Sequence, residues 1–294
     1  MIRFYSLLIL LIVLIFCEVS YGAVVYPLDK NTTLKNTKGD FRIVSLAPSI
    51  TEILYFLGVI ENVVGVTRYD DYPEIVKTKE IVGGYLDIDA EKIVRLKPDV
   101  VLCEPNSGIK GSIEVIEKNG IPVYVVNIKS IEDILFAVEE LGELLNHCES
   151  ARSVNQDGLN RYLRIQRFYK TTIEKRGLIV LNENPLMIAG NSSFVGELLI
   201  LSGIENSYKG NQKYPVLDAE MLYKMDVDIV INVSESVMSG VEVEKRNSLT
   251  TLKPLLKGSV SIYNVSNPIF IRPSPRFIEA LEYLCSVTTG NYCY

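Results

Sequence analysis

His147 is the only histidine among the 294 residues of this chain. That shortage removes several chemistries at once. A serine triad needs an imidazole base, and His147 sits in a polar junction between two helix-patterned stretches. An H-E-x-x-H zinc site needs two histidines, and a transition metal held directly by several imidazoles needs more than one. No C-x-x-C occurs, which leaves zinc knuckles and thioredoxin-type redox sites without ligands. Neither a Walker phosphate loop nor G-x-G-x-x-G is present. Long runs of Lys or Arg are missing as well, and 30 basic against 36 acidic residues leave a formal charge of −6. Nucleic acid is therefore not an expected partner, because phosphate binding needs a concentrated basic face. The one basic stretch, Arg161 to Arg176, is spaced like the solvated side of a helix. No catalytic residue, resident cofactor or metal site is expected.

What the chain does have begins at its amino end. Arg3 precedes an apolar run from Leu7 to Phe16, the length of a secretory h-region and too short for a spanning helix. Ser20 and Gly22 give a small-x-small pattern, so residues 1–22 read as a signal peptide cleaved before Ala23. Two alternatives remain open: lipidation at Cys17, which follows Leu14-Ile15-Phe16, and an uncleaved anchor. All three export the protein. Of the other cysteines, Cys103 lies in an apolar strand-like run where a buried free thiol is expected. Cys285 and Cys293 are close enough in sequence to bridge the tail to the last helix.

Residues 23–40 are polar and irregular and read as a tether. From Phe41 onward, short β-branched runs alternate with helix-period segments, the pattern of a parallel sheet covered on both faces. Arg42–Leu46, Val63–Val66, Val100–Cys103 and Val123–Val126 are the expected strands of a first α/β lobe over residues 41–146. Helices are expected over Ser49–Leu57, Ala90–Leu96 and Ser112–Asn119, and Ile131–Leu145 has helical spacing too. Glu149–Lys175 continues helically for 27 residues, about 40 Å of helix, too long for one crossover in a compact sheet. Residues 147–176 therefore read as a connector. A second α/β lobe is expected over residues 177–294, with strands at Leu178–Leu181, Asp228–Val233 and Val260–Val265. Its helices are expected at Phe194–Leu201, Ala219–Met225 and Pro275–Val287. Ligands of such folds bind beyond the carboxyl ends of the strands, in the crevice between lobes.

Polar and aromatic residues recur where the expected strands end. Arg68-Tyr69-Asp70-Asp71-Tyr72-Pro73 follows one strand, and Gly83-Gly84-Tyr85 leads into the Ala90 helix. Lys213-Tyr214-Pro215 precedes the Ala219 helix, and Arg272-Pro273-Ser274-Pro275-Arg276 opens the last one. Tyrosine offers a flat apolar face with a polar rim, and arginine stacks or clasps carboxylate and amide groups. A cleft so lined suits a large planar, partly anionic ligand. The paired acids Asp70 and Asp71 are expected to act locally, through turn hydrogen bonds.

Arg42-Ile43-Val44-Ser45-Leu46-Ala47-Pro48-Ser49-Ile50-Thr51-Glu52 resembles the opening of the substrate-binding proteins of cobalamin, iron-siderophore and haem importers. Gly65-Val66-Thr67-Arg68-Tyr69-Asp70-Asp71-Tyr72-Pro73 follows at the family spacing, then Val82-Gly83-Gly84 and Leu96-Lys97-Pro98-Asp99-Val100-Val101. Asp226-Val227-Asp228-Ile229-Val230-Ile231 and the Ser-Pro-Arg turn ending at Arg276 extend the match to residue 289. The resemblance implies a class III periplasmic binding protein, two Rossmann-like α/β lobes bridged by a single long helix. It also implies a monomer that captures a metal chelate and delivers it to the transmembrane permease of an ABC importer. Cobalamin is the implied ligand, with an iron-siderophore or haem as the alternative. A bilobal tetrapyrrole chelatase is the alternative of a different class. By position, Arg68, Tyr69, Tyr85, Tyr214, Arg272 and Arg276 would bind ligand, and Glu80 and Glu220 would dock on the permease. The chain departs from the best-known cobalamin members in having no tryptophan, and in carrying Ser202 where they have a cysteine paired with the equivalent of Cys285.

Overall fold

The computed structural model describes residues 41–169, 175–234, 254 and 256–289. The expected signal peptide, the tether, Cys17 and Cys293 lie outside the described residues. Two five-stranded sheets organise the molecule. The first contains β1 (Ile43–Ser45), β2 (Val63–Val66), β3 (Glu80–Ile81), β4 (Val100–Cys103) and β5 (Val123–Val125), in the order β3-β2-β1-β4-β5. All four pairings are parallel. β1 and β4 are buried along their whole length, which is why they read as unbroken apolar runs rather than alternating ones.

Helices α1 (Pro48–Phe56), α2 (Ala90–Leu96) and α3 (Lys110–Lys118) are the crossovers of this sheet. Pro48 opens α1 at a position whose N–H would have no helical partner anyway. Asp89 caps α2 by accepting from the Lys92 N–H at 2.8 Å. The helix stops at Lys97, which takes a left-handed conformation (φ 49°) just before Pro98.

The second sheet is mixed. It has the order β10-β9-β6-β7, with β8 also paired to β6. β6 (Lys175–Glu183) runs parallel to β9 (Ile229–Asn232) along one side. On its other side β8 (Ile204–Asn206) pairs in parallel with the first part, and β7 (Leu186–Ile188) folds back antiparallel along the second. Two partners in series make this strand nine residues long where a four-residue strand was expected. β10 (Ser261–Asn264) lies parallel to β9 at the edge. Helices α6 (Phe194–Leu201), α7 (Ala219–Lys224) and α8 (Phe277–Thr289) complete this half.

Between the sheets run α4 (Ile131–Leu144) and the connector α5 (Cys148–Tyr169). The connector is described over 22 residues, about 33 Å, and residues 170–174 lie outside the described residues. Lys175, expected to end it, is already strand, and beside it the Arg176 N–H donates to Asp228 at 2.8 Å. α5 nevertheless touches both halves. Asn155 donates to the Leu135 carbonyl of α4, while Arg161 forks onto Glu282 of α8 at 2.9 and 2.6 Å. One hydrophobic cluster passes beneath both sheets, joining Ile50 and Ile53 of α1 to Ile134 and Leu141 of α4, Ile165 of α5 and Leu281 of α8. Each sheet has a separate, smaller cluster on its other face. Among the described residues no helix is long and apolar enough to cross a membrane.

Candidate ligand-binding cleft

The loops that leave the carboxyl edges of the two sheets meet each other. The turn after β2 (67–73) touches the segment after β10 (267–276), and the Ile131 N–H at the start of α4 donates to Glu197 of α6 at 2.9 Å. Strand-end loops from both lobes thus converge on one region, where a parallel α/β fold puts its ligands.

On the first lobe, Thr67 donates through its N–H and hydroxyl to Asp70 Oδ2 at 2.9 and 2.5 Å, closing a tight turn with Tyr69 outside it. The Arg68 N–H donates to the Gly83 carbonyl, binding this turn to the next loop. The Arg68 guanidinium forks onto Asp87 at 3.0 and 2.6 Å across the Gly83-Gly84 turn. That grip needs glycine at both places. Gly83 has φ +133°, and a Cβ on Gly84 would lie 2.3 Å from the Arg68 Nη1. Beyond the turn stands Tyr85, whose carbonyl accepts from Asn106 at 2.7 Å. The hydrogen bonds from Arg68, more than its charge, hold the Asp87 carboxyl below its ordinary value.

Tyr214, on the second lobe, is carried by a strap beside β7. Gly190 donates to Lys213, Ile188 to Pro215, and Leu217 to Leu186, at 2.9, 3.0 and 2.8 Å. Tyr69, Tyr85 and Tyr214 are 42%, 53% and 47% exposed, unusually open for tyrosines whose loops are so firmly held.

Arg272 and Arg276 were expected to clasp ligand, but the structure turns their donors onto protein. Arg272 bonds Asp71, the Tyr69 carbonyl (3.0 Å) and Glu52 (3.4 Å). Arg276 lies 4.0 Å over the Tyr72 ring and pairs with Glu279 and Glu52. Burial and these partners oppose each other in setting both guanidinium pKa values, and the net direction is up. Glu52 is itself buried, and burial raises its carboxyl against the Ser274 hydrogen bond and the two arginines. Asp70 acts within its own turn, as expected; Asp71 does not, because it reaches across to Arg272.

Sequence reasoning also missed two acids at the strand ends. Glu104 follows β4 and accepts from the Ser49 hydroxyl; burial raises its carboxyl. Glu183 ends β6 and accepts from Asn232 at 2.8 Å and Ser234 at 3.4 Å. Among the described residues neither acid has a cation within ion-pair distance, whereas Arg68, Arg272 and Arg276 are each matched to a carboxylate. The only sequence signal for Glu104 was a lone acid at the end of an apolar strand.

Glu80 and Glu220 are exposed acids, one per lobe, and each already pairs with a lysine of its own lobe, Lys92 at 2.9 Å and Lys224 at 2.5 Å. Cys103 is free and buried, with its thiol pushed up to about 12 by burial. Cys285 is disulfide-bonded; the partner expected for it, Cys293, lies outside the described residues. Among the described residues no group of His, Cys, Asp and Glu could hold a metal ion.

Comparison with known proteins agrees with this architecture. The "Vitamin B12-binding protein" of Vibrio campbellii is 27% identical over 247 residues, covering 83% of this chain and 88% of that protein. The solved periplasmic vitamin B12-binding protein BtuF of Vibrio cholerae superposes with a TM-score of 0.68 at 24% identity, covering 83% of this chain and 95% of that one. A periplasmic heme-binding protein from Pseudomonas aeruginosa gives a TM-score of 0.73 at 20% identity, over 85% and 93% of the two chains. At those identities the two solved structures speak to the fold, which is that of the class III periplasmic binding proteins. Residues 43–248 match the Periplasmic binding protein family, and the chain belongs to it.

Proposed function

We propose that this is the exported solute-binding protein of an ABC importer, capturing cobalamin or a related corrinoid between its lobes and delivering it to the membrane permease. The observation that carries the ligand choice is a pairing of shape with charge. Three half-exposed tyrosines, Tyr69, Tyr85 and Tyr214, stand on braced loops, the first of them where the lobes meet. Each guanidinium beside them is already neutralised by a protein carboxylate. Tyrosine faces stack on a flat macrocycle. A corrin edged with neutral amides needs no spare cation, and Glu104 and Glu183 can accept from amide N–H groups. Haem carboxylates and the catecholate or carboxylate ferric siderophores are anionic, and among the described residues they would meet unpaired acid with no free guanidinium to compensate. The relatives named for vitamin B12 support the same choice.

The chain works as a monomer without nucleic acid or a resident cofactor. Glu80 and Glu220 exchange their lysines for cationic groups of the permease, fixing orientation more than affinity. Calorimetry of residues 23–294 against cyanocobalamin, haemin and a ferric siderophore tests the reading. One-to-one binding of cyanocobalamin alone is the expected result, and tighter binding of either iron chelate overturns the ligand choice. Replacing Glu80 and Glu220 together with alanine is expected to leave that binding unchanged and abolish uptake in cells.

A further inference from the structure

Residues 69–72 belong to the first lobe, yet three successive features of that turn are held from the second. The Tyr69 carbonyl accepts from Arg272 Nη2 at 3.0 Å, the Asp71 carboxylate receives both ends of the same guanidinium, and the Tyr72 ring lies under Arg276. The partners are more than 200 residues apart in sequence, so no local turn chemistry supplies these bonds. Behind them lies Glu52, 1% exposed, which accepts from the Ser274 hydroxyl at 2.5 Å and faces both arginines at 3.4 and 3.5 Å. A carboxylate buried that deeply persists because its charge and lone pairs are met. Here they are met wholly from the other lobe. The side chain of Tyr69, by contrast, meets only the neighbouring Arg68 guanidinium and stands 42% exposed.

We propose that Arg272 is a positioning residue: from the second lobe it fixes the Tyr69 platform of the first, without touching ligand itself. Both terminal nitrogens of Arg272 donate to protein oxygens, and its side chain is only 10% exposed. A planar fork is suited to gripping a carboxylate and a carbonyl together, which a lysine ammonium cannot reproduce. Stacking at Tyr69 is therefore conditional on the two lobes being joined at Glu52, Ser274 and Arg272. Among the described residues Tyr85 is braced only from its own lobe.

This inference rests on the corrinoid reading for its affinity arm only. Arg272→Gln and Tyr69→Ala are combined in a double-mutant cycle, with cyanocobalamin affinity as the readout and melting temperature as the folding control. Arg272→Gln is expected to weaken binding roughly tenfold in the native background, and by no more than about twofold once Tyr69 is alanine. Arg272→Lys is expected to give no rescue. Losses that add across the cycle would mean that Arg272 meets ligand directly, and overturn the proposal. The second arm uses no ligand: amide hydrogen exchange at residues 67–73 is expected to accelerate in Arg272→Gln, while residues 83–89 keep their native rate. Unchanged exchange at 67–73 also overturns it. Should Arg272→Gln fail to fold, Asp71→Asn takes its place in both arms, since Asp71 is 43% exposed and its replacement leaves no buried charge beyond those already matched. A native protein that binds no corrinoid defeats the ligand reading, and the exchange arm still decides this one.

Discussion

Tyr85 stands on a loop braced by side chains, whereas Tyr214 stands on a strap braced by backbone. Arg68, Asp87 and Asn106 hold the first, and three main-chain hydrogen bonds to the 186–190 segment hold the second. A side-chain brace is tuned by substitution and weakened by salt; a backbone brace is indifferent to side-chain identity but intolerant of displacement. The two loops should therefore fail differently. Their glycines make the contrast testable. A Cβ on Gly190 would sit 2.0 Å from the Gln212 carbonyl oxygen, which is fixed main chain. On Gly84 it would meet the tips of Arg68 and Asp87, which can swing away.

The largest effect is expected from Gly190→Ala. Pushing main chain from main chain costs about 2–3 kcal/mol of stability, read as a fall in urea midpoint, and cyanocobalamin binding weakens with it. Gly84→Ala is expected to lower stability by well under half as much. A smaller stability difference between these two variants breaks the comparison. Next comes Tyr85→Ala, expected to weaken binding about thirtyfold, the loss of roughly 2 kcal/mol at a stacked aromatic, with an unchanged melting temperature. Its outward side chain is half exposed, so its removal costs little core packing.

The smallest effect sharpens the account of charge in the first lobe. Burial raises the Glu104 carboxyl above its ordinary value of 4.5, against the Ser49 hydrogen bond. The folded protein thus holds that proton more tightly than the unfolded chain does. The stability this supplies is full below pH 4.5 and is lost as pH rises through the raised folded value. Glu104→Gln keeps a neutral acceptor at every pH. It is expected to melt slightly higher than the native protein at pH 7, with the gap closing as pH falls below 4.5. A gap of the opposite sign at pH 7 refutes the assignment. Glu52, Asp70 and Glu197 are shifted in the same direction but are present in both proteins.

Much of this was legible in sequence, and the failures have physical causes. The buried strands β1, β4 and β9 announce themselves as apolar runs because both of their faces are covered. β3, β7 and β8 do not, being two or three residues long, with exposed or half-exposed positions in each. The tyrosines were legible as aromatic residues in turns between elements. The inter-lobe contacts were not: Glu52 is the one charged residue of α1 and finds Ser274 222 positions away. Asp71 was mistaken for a local turn residue because its neighbour Asp70 is one, and nothing in a sequence window separates a carboxylate that folds back from one that reaches out. Lys175 was read as helix because helical spacing runs up to it, while strand pairing with Ile204 claims it.

The apolar cluster shared by α1, α4, α5 and α8 bears on how the molecule can be taken apart. Neither sheet has a private core on its inner face. A chain severed after α4 would leave each fragment with a broad oily surface and no cover for it. The halves are thus obligate companions in biosynthesis, and heat or denaturant should melt them in one cooperative transition rather than two. The nutrient-carrying form and the folded form of this protein are born together, as a single cooperative unit.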